Sequence, residues 1–80
     1  MFSANQVTVE NLNIQVNHVN FIGHAVNVGV DSTVRNNILS GYQGGVNRQC
    51  PSLIQGNINL SAGSGGGGSD CVFVNNIGLF

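Results

Sequence analysis

The run "NIQVNHVNFIGHAVNVGV", residues 13 to 30, constrains this chain most, because apolar residues alternate with Asn, Gln and His almost throughout. Period-two alternation rich in β-branched residues specifies strands with one apolar and one polar face. No helical spacing competes over a useful window, so the chain reads as all-β. The polar face is unusual in being built from amides rather than charges. Across 80 residues only Glu10, Asp31, Arg35, Arg48 and Asp70 are charged, lysine is absent, and the net charge is -1. Charge repulsion therefore does little to keep copies apart. Both faces of such a strand favour being covered.

The alternation changes phase three times. Val7 and Val9 alternate with Thr8 and Glu10, and Leu12, Ile14 and Val16 then continue on the opposite parity. A slip at Asn17-His18 restores odd parity for Val19 and Phe21, and another around Ile22-Gly23 leads into Val26, Val28 and Val30. Each slip requires a bulge, a turn or a change of face, because the side-chain period is two. "VDSTVRNNILSGYQGG" admits two readings, a helical turn capped by Asp31-Ser32 or a short strand at 33 to 39. "SLIQGNINL" reads as a strand bulged at Gly56. "SAGSGGGGSD", residues 61 to 70, is a flexible loop by composition, and "CVFVNNIGLF" supplies a final strand or hook. No 20- to 50-residue period repeats cleanly, which disfavours a solenoid. The expected fold is a single all-β domain over 1–80, a small sandwich or open barrel of about six short strands completed by strand pairing between subunits.

A chain of this size buries only about 60% of the surface its unfolded form exposes, so a covalent staple or a partner is expected. Cys50 and Cys71 are the only cysteines. No second Cys or nearby His completes a zinc site around them. A disulfide between them would stabilise the chain by roughly 3 kcal/mol on the chain-entropy model, and two buried thiols are the alternative. The disulfide would place the protein in an oxidising compartment, extracellular or at the cell surface. The start, "MFSANQVTVE", carries neither the basic nor the apolar region of a secretory signal. No apolar run approaches the roughly 20 residues of a membrane-spanning helix.

The composition supports little chemistry. Two arginines cannot neutralise many phosphates, so no nucleic-acid partner is expected. His18 and His24 read as polar members of an amide-rich face, a metal site shared with Glu10 or Asp31 being the sharper alternative. A carboxylate pair would need Glu10, Asp31 or Asp70, and no nucleophile-elbow context surrounds any serine. No enzyme, cofactor or metal is expected. The asparagines divide into two sets. Asn36-Asn37 and Asn75-Asn76 fit turns, whereas Asn13, Asn17, Asn20 and Asn27 lie inside the strand-like run. Stacked amides there can form hydrogen-bonded ladders between chains, as in cross-β packing.

"IQVNHVNFIGHAVNVGV" resembles the core of the chaplins, small amyloid-forming coat proteins of filamentous actinobacteria. The likeness rests on Ile14-Gln15-Val16, His18-Val19 and the block from Gly23 to Val28. The cysteine that chaplins place before that glycine is missing here, as are the prolines between their valines. "SLIQGNIN" is similar to a segment of the rodlins, which accompany chaplins in surface rodlets. The resemblance implies a secreted protein that assembles into surface fibrils.

The functional expectation is a structural subunit that self-assembles into an extracellular filament, fibril or surface layer. Its subunit interface would draw on Val7, Val9, Asn13, Ile14, Val16 and Asn17. From the rest of the chain it would add Val19, Phe21, Val26, Val28, Phe73 and Phe80. Residues 1–10 form a possible donor strand for a neighbouring copy, with Val7 and Val9 filling its apolar pockets. The rival reading is a disulfide-stapled β-domain that binds an uncharged ligand, a glycan or ice, through an Asn/Thr face.

Overall fold

The computed structural model describes residues 4–16, 23–41, 44–61, 63, 66–67 and 70–80. Nine short strands follow one another along these residues. They are β1 (Thr8–Glu10), β2 (Asn13–Gln15), β3 (His24–Val28), β4 (Thr33–Arg35) and β5 (Ile38–Ser40). After them come β6 (Gly44–Arg48), β7 (Leu53–Gln55), β8 (Ile58–Asn59) and β9 (Val72–Val74). The all-β class is the one the alternation implied. The stretch 33 to 39, open between a helical turn and a strand, forms β4 and most of β5.

The strands make three sheets, in the orders β1-β4-β7-β9, β2-β5-β8 and β3-β6, and every pairing is parallel. Register shows how the chain travels. Thr8 lies beside Thr33, Thr33 beside Leu53, and Leu53 beside Val72, which are steps of 25, 20 and 19 residues. Each step is one turn of a coil: the first two pass through all three sheets, and the third passes through the first two before arriving one layer further on. The expectation against a solenoid is thereby corrected. The repeat was hidden because the first turn is longer: Asn13 pairs 25 residues on with Ile38, but His24 only 20 residues on with Gly44. The five extra residues therefore fall between Gln15 and His24, and the slips expected at Asn17-His18 and around Ile22 lie outside the described residues.

The core is a stack of equivalent positions. Val9, Val34 and Ile54 occupy the middle of β1, β4 and β7, and Ile14 and Leu39 the middle of β2 and β5. Ala25, Val26, Val28 and Val46 enter from β3 and β6, so the three sheets face one another across a single apolar interior. Three-residue strands suffice because each contributes one inward side chain, and its neighbours above and below complete the burial.

The slip at Asn11 and the bulge expected at Gly56 are corners, equivalent to the turns expected at Asn36 and Asn75. Asn11, Asn36, Gly56 and Asn75 all have positive φ, between 54° and 67°, and each directly follows a strand of the first sheet. Asn and Gly are the residues that visit this region most readily. In the three later turns the next residue points inward: Asn37 and Asn57 are buried, and Asn76 follows them in register. Asn37 Nδ2 donates to Asn57 Oδ1 (3.0 Å) and to Val9 O (3.0 Å). Asn57 Nδ2 donates to Asn76 Oδ1 (3.1 Å) and to Val34 O (2.8 Å), and Asn76 Nδ2 donates to Ile54 O (2.8 Å). The oxygens accept from main-chain N–H groups one layer earlier, those of Leu12, Asn37 and Asn57. An internal amide ladder thus runs through the pairs first read as turn residues. A shorter ladder on the opposite corner joins Val7 N, Ser32 Oγ and Ser52 Oγ through Ser32 N.

The glycine-rich stretch also takes part in the coil. Gly66 O accepts from Arg48 N at 2.9 Å, which lays 66–67 across β6 as a further layer. Gly67 has φ +142, and a Cβ there would stand 2.1 Å from Arg48 O. Gly67→Ala should therefore lower stability by about 1 kcal/mol or more in urea titrations. Asn57→Ala is expected to cost about 2 kcal/mol or more, because it leaves Asn37 N without its acceptor and removes the amide donor to Val34 O and Asn76 Oδ1. Asn36→Gly, which keeps the corner conformation, should be close to neutral in the same titration.

Candidate functional site

Turn four of the coil, residues 71–80, carries a concentration of exposed apolar groups. Val72, Phe73, Ile77 and Leu79 are 55%, 42%, 65% and 55% exposed. Phe73 stands in register with Ile54, Val34 and Val9, the inward stack of the first sheet. It occupies a core position with protein on one side only. The outer edge of β9 has no strand partner among the described residues.

Several contacts dock this turn. β9 pairs with β7 over three residues, and Ile58 and Ile77 form an isolated parallel bridge. Asn59 Nδ2 donates to Leu79 O at 2.6 Å, and Phe80 packs against the core. The Cys50–Cys71 disulfide ties the turn covalently to the end of turn two, with a Cα–Cα distance of 4.9 Å. Of the two readings of the cysteines, the disulfide is the one found.

Arg48 reaches the same turn from β6. It stands in register with buried Val28, an inward position, and is itself only 8% exposed. Its Nη1 donates to Val46 O (3.2 Å) and its Nη2 to Phe80 O (3.3 Å), while the guanidinium lies 4.7 Å from the centre of the Phe73 ring. Nε finds no partner among the described residues. Burial lowers the Arg48 pKa. The ring face and two carbonyls offset part of the cost of burying this cation. Gly67 leaves the room it needs, since a Cβ there would lie 3.1 Å from Arg48 Cγ.

A second apolar feature runs along the coil. Ile38, Ile58 and Ile77 are successive partners in the second sheet, on the parity opposite to buried Leu39. Ile38 is exposed, Ile58 half-buried and Ile77 exposed, so an outward isoleucine stripe crosses three turns. Leu12 and Leu60 are exposed as well. The first sheet's outer face is mixed. Thr8 and Thr33 are followed in register by Leu53 and Val72, and Glu10 pairs with Arg35 in an exposed salt bridge.

The expected interface residues are distributed unevenly. Val9, Ile14, Val26 and Val28 lie in the chain's own core, and Val7 and Phe80 pack against it. Val16 is half-buried, Asn13 is exposed at the start of β2, and Phe73 is exposed on turn four. Asn17, Val19 and Phe21 lie outside the described residues, as do Asn20 and His18. Of the possible donor strand 1–10, residues 1–3 also lie outside them, while Thr8–Glu10 pairs with β4 of the same chain. Asn27 does belong to a ladder, accepting from Asn47 Nδ2 at 2.9 Å within one chain. Sequence reasoning missed Arg48 as an inward residue, although it shares parity with Val46. It also missed the laddered Asn37, Asn57 and Asn76, signalled by "NNI", "GNI" and "NNI" at 36, 56 and 75.

Among the described residues no group of three or more His, Cys, Asp or Glu is placed to hold a metal, and no helix is long and apolar enough to cross a membrane. Comparison with known protein families, characterised proteins and solved structures finds no match to this chain.

His24, half-buried on β3, has its pKa lowered below 6.5, by burial first and, among smaller causes, by the positive charge of Arg48. The unfolded chain then binds the proton more readily than the folded one. Stability should therefore be full above about pH 6.5 and decline as pH falls through the window between 6.5 and the lower folded value. Thermal melts of the chain and of His24→Asn between pH 7.5 and 5 check this, the variant showing the shallower decline.

Proposed function

We propose that this chain is a non-catalytic structural subunit that assembles with copies of itself into an extracellular filament, fibril or surface layer. The observation that carries the reading is the outer edge of β9, which has no strand partner among the described residues, beside exposed Phe73. Every strand pairing among the described residues is parallel, so a further copy added along the coil axis would repeat the contact already made between β7 and β9. Its β1 would lie beside β9, with Val9 following Phe73 in the inward stack. A parallel joint of this kind is head-to-tail and continues indefinitely unless a rotation closes it. An open sheet edge also invites strand addition.

This joint leaves β1 within its own sheet, where Val9 is buried, and so differs from an exchange of the donor segment 1–10. The outward stripe of Ile38, Ile58 and Ile77 would serve contacts between neighbouring filaments, because in-register apolar ladders interdigitate well. The disulfide is compatible with an oxidising extracellular setting. The chaplin and rodlin resemblance points the same way. The ligand-binding alternative draws less support, since only Thr8 and Thr33 stack before Leu53 and Val72 interrupt the row.

Size-exclusion chromatography with negative-stain microscopy tests the reading. The chain should form elongated particles. Phe73→Pro, which places a proline at the β9 residue whose N–H faces the joining edge while Val72 N and Val74 O are turned to β7, should shift the population to monomers by tenfold or more in apparent affinity. Monomers of the unaltered chain at high concentration would overturn the proposal. Assembly should also persist from low salt to 1 M NaCl, because screening acts mainly on exposed charges and the joint has few.

A further inference from the structure

The position of the disulfide carries a consequence for turn four. The turn buries little: four of its apolar side chains are 42–65% exposed, so desolvation holds it weakly. Its other links are the β7–β9 pairing, one bridge, and the side-chain bonds of Asn76, of Asn59 to Leu79 O and of Arg48 to Phe80 O. The turns before it are differently held. Val34, Leu39, Val46 and Ile54 are fully buried, and β4 and β5 are paired on both sides. Cys50 and Cys71 are both half-buried, and neither is sealed in the core.

We propose that the Cys50–Cys71 bond is a latch on turn four, so that this turn docks only in the oxidised chain while the preceding turns fold without it. Closing the latch is thiol–disulfide exchange. One cysteine thiolate attacks the disulfide of an oxidising dithiol partner, the mixed disulfide forms, and the second cysteine displaces the partner. Two electrons and two protons pass to that partner, which leaves as a dithiol. In a reducing compartment turn four is undocked, the β9 edge is not presented, and β7 forms the outer layer of the first sheet. Where the chain is oxidised, the edge is completed. The consequence for assembly rests on the reading above, whereas the latch itself does not depend on it.

Residue-resolved hydrogen exchange on dilute chain, oxidised and then reduced with a phosphine, distinguishes the two. The amides that bond across the boundary are Val72 N to Ser52 O, Ile77 N to Asn57 O, Gly56 N to Val74 O and Asn59 N to Ile77 O. Those that bond one layer inward are Leu53 N to Ser32 O, Ile58 N to Asn37 O and Leu60 N to Leu39 O. Reduction should speed exchange of the first set about 100-fold, the scale a disulfide loop provides, and leave the second set within about threefold. A double Cys50→Ser, Cys71→Ser variant should match the reduced chain. Unchanged protection of Val72 and Ile77 overturns the latch, as does loss of protection in both sets together. Microscopy of the same samples reads assembly separately. Filaments from the reduced chain with an open latch would remove the coupling while leaving the latch in place.

Discussion

The amide ladder of Asn37, Asn57 and Asn76 is the interaction on which the rest of the structure depends. A primary amide has both donors and acceptors, so it can bond to an identical group above and below it, which neither a carboxylate nor an ammonium can do. Such a ladder requires equivalent residues to stack in register, and parallel strands provide that. Asn57 shows the arrangement complete: its oxygen accepts from Asn37 N and Nδ2, and its nitrogen donates to Val34 O and Asn76 Oδ1. A fully buried polar side chain normally weakens a small core. Here it takes up main-chain groups that the corner would otherwise leave unpaired.

Corner conformation and ladder work together. Asn11, Asn36, Gly56 and Asn75 turn the chain out of the first sheet with positive φ, and the following residue is aimed inward. The first turn departs from the pattern at that second position, where Leu12 stands in place of asparagine and is 45% exposed. Its N–H is nevertheless taken up by Asn37 Oδ1. The apolar stack follows from the same geometry, since one inward Val, Leu or Ile per strand meets its counterpart in the next layer.

The scarcity of charge fits this construction. Stacking places each residue about 4.8 Å from its equivalent in the next turn, and like charges repeated at that spacing would repel. The exposed ion pair of Glu10 with Arg35 alternates in sign between adjacent layers. Arg48 is the exception on the inside, tolerated because Gly67 leaves space and because Phe73 and two carbonyls surround it. Its reach from turn two to turn four shows how the glycine-rich segment shapes the fold through the side chains it lacks.

Composition and alternation determined the all-β class by themselves, because β-branched residues at period two bury well only on a pleated surface. The distance between Cys50 and Cys71, with few charges and a short chain, likewise pointed to the disulfide. The glycines at 61 to 70 were legible as a break but not as a layer, since close approach to Arg48 is a tertiary fact. Tertiary structure alone decided the direction of pairing. An alternating strand satisfies its hydrogen bonds equally with a parallel or an antiparallel neighbour, and only the stacked corners select the first. It also decided which residues face out. Val9, Ile14, Val26 and Val28 read as sticky and are core, whereas Phe73 has the same pattern and is exposed. That difference depends on whether a layer lies on both sides of a position, which no local sequence pattern encodes.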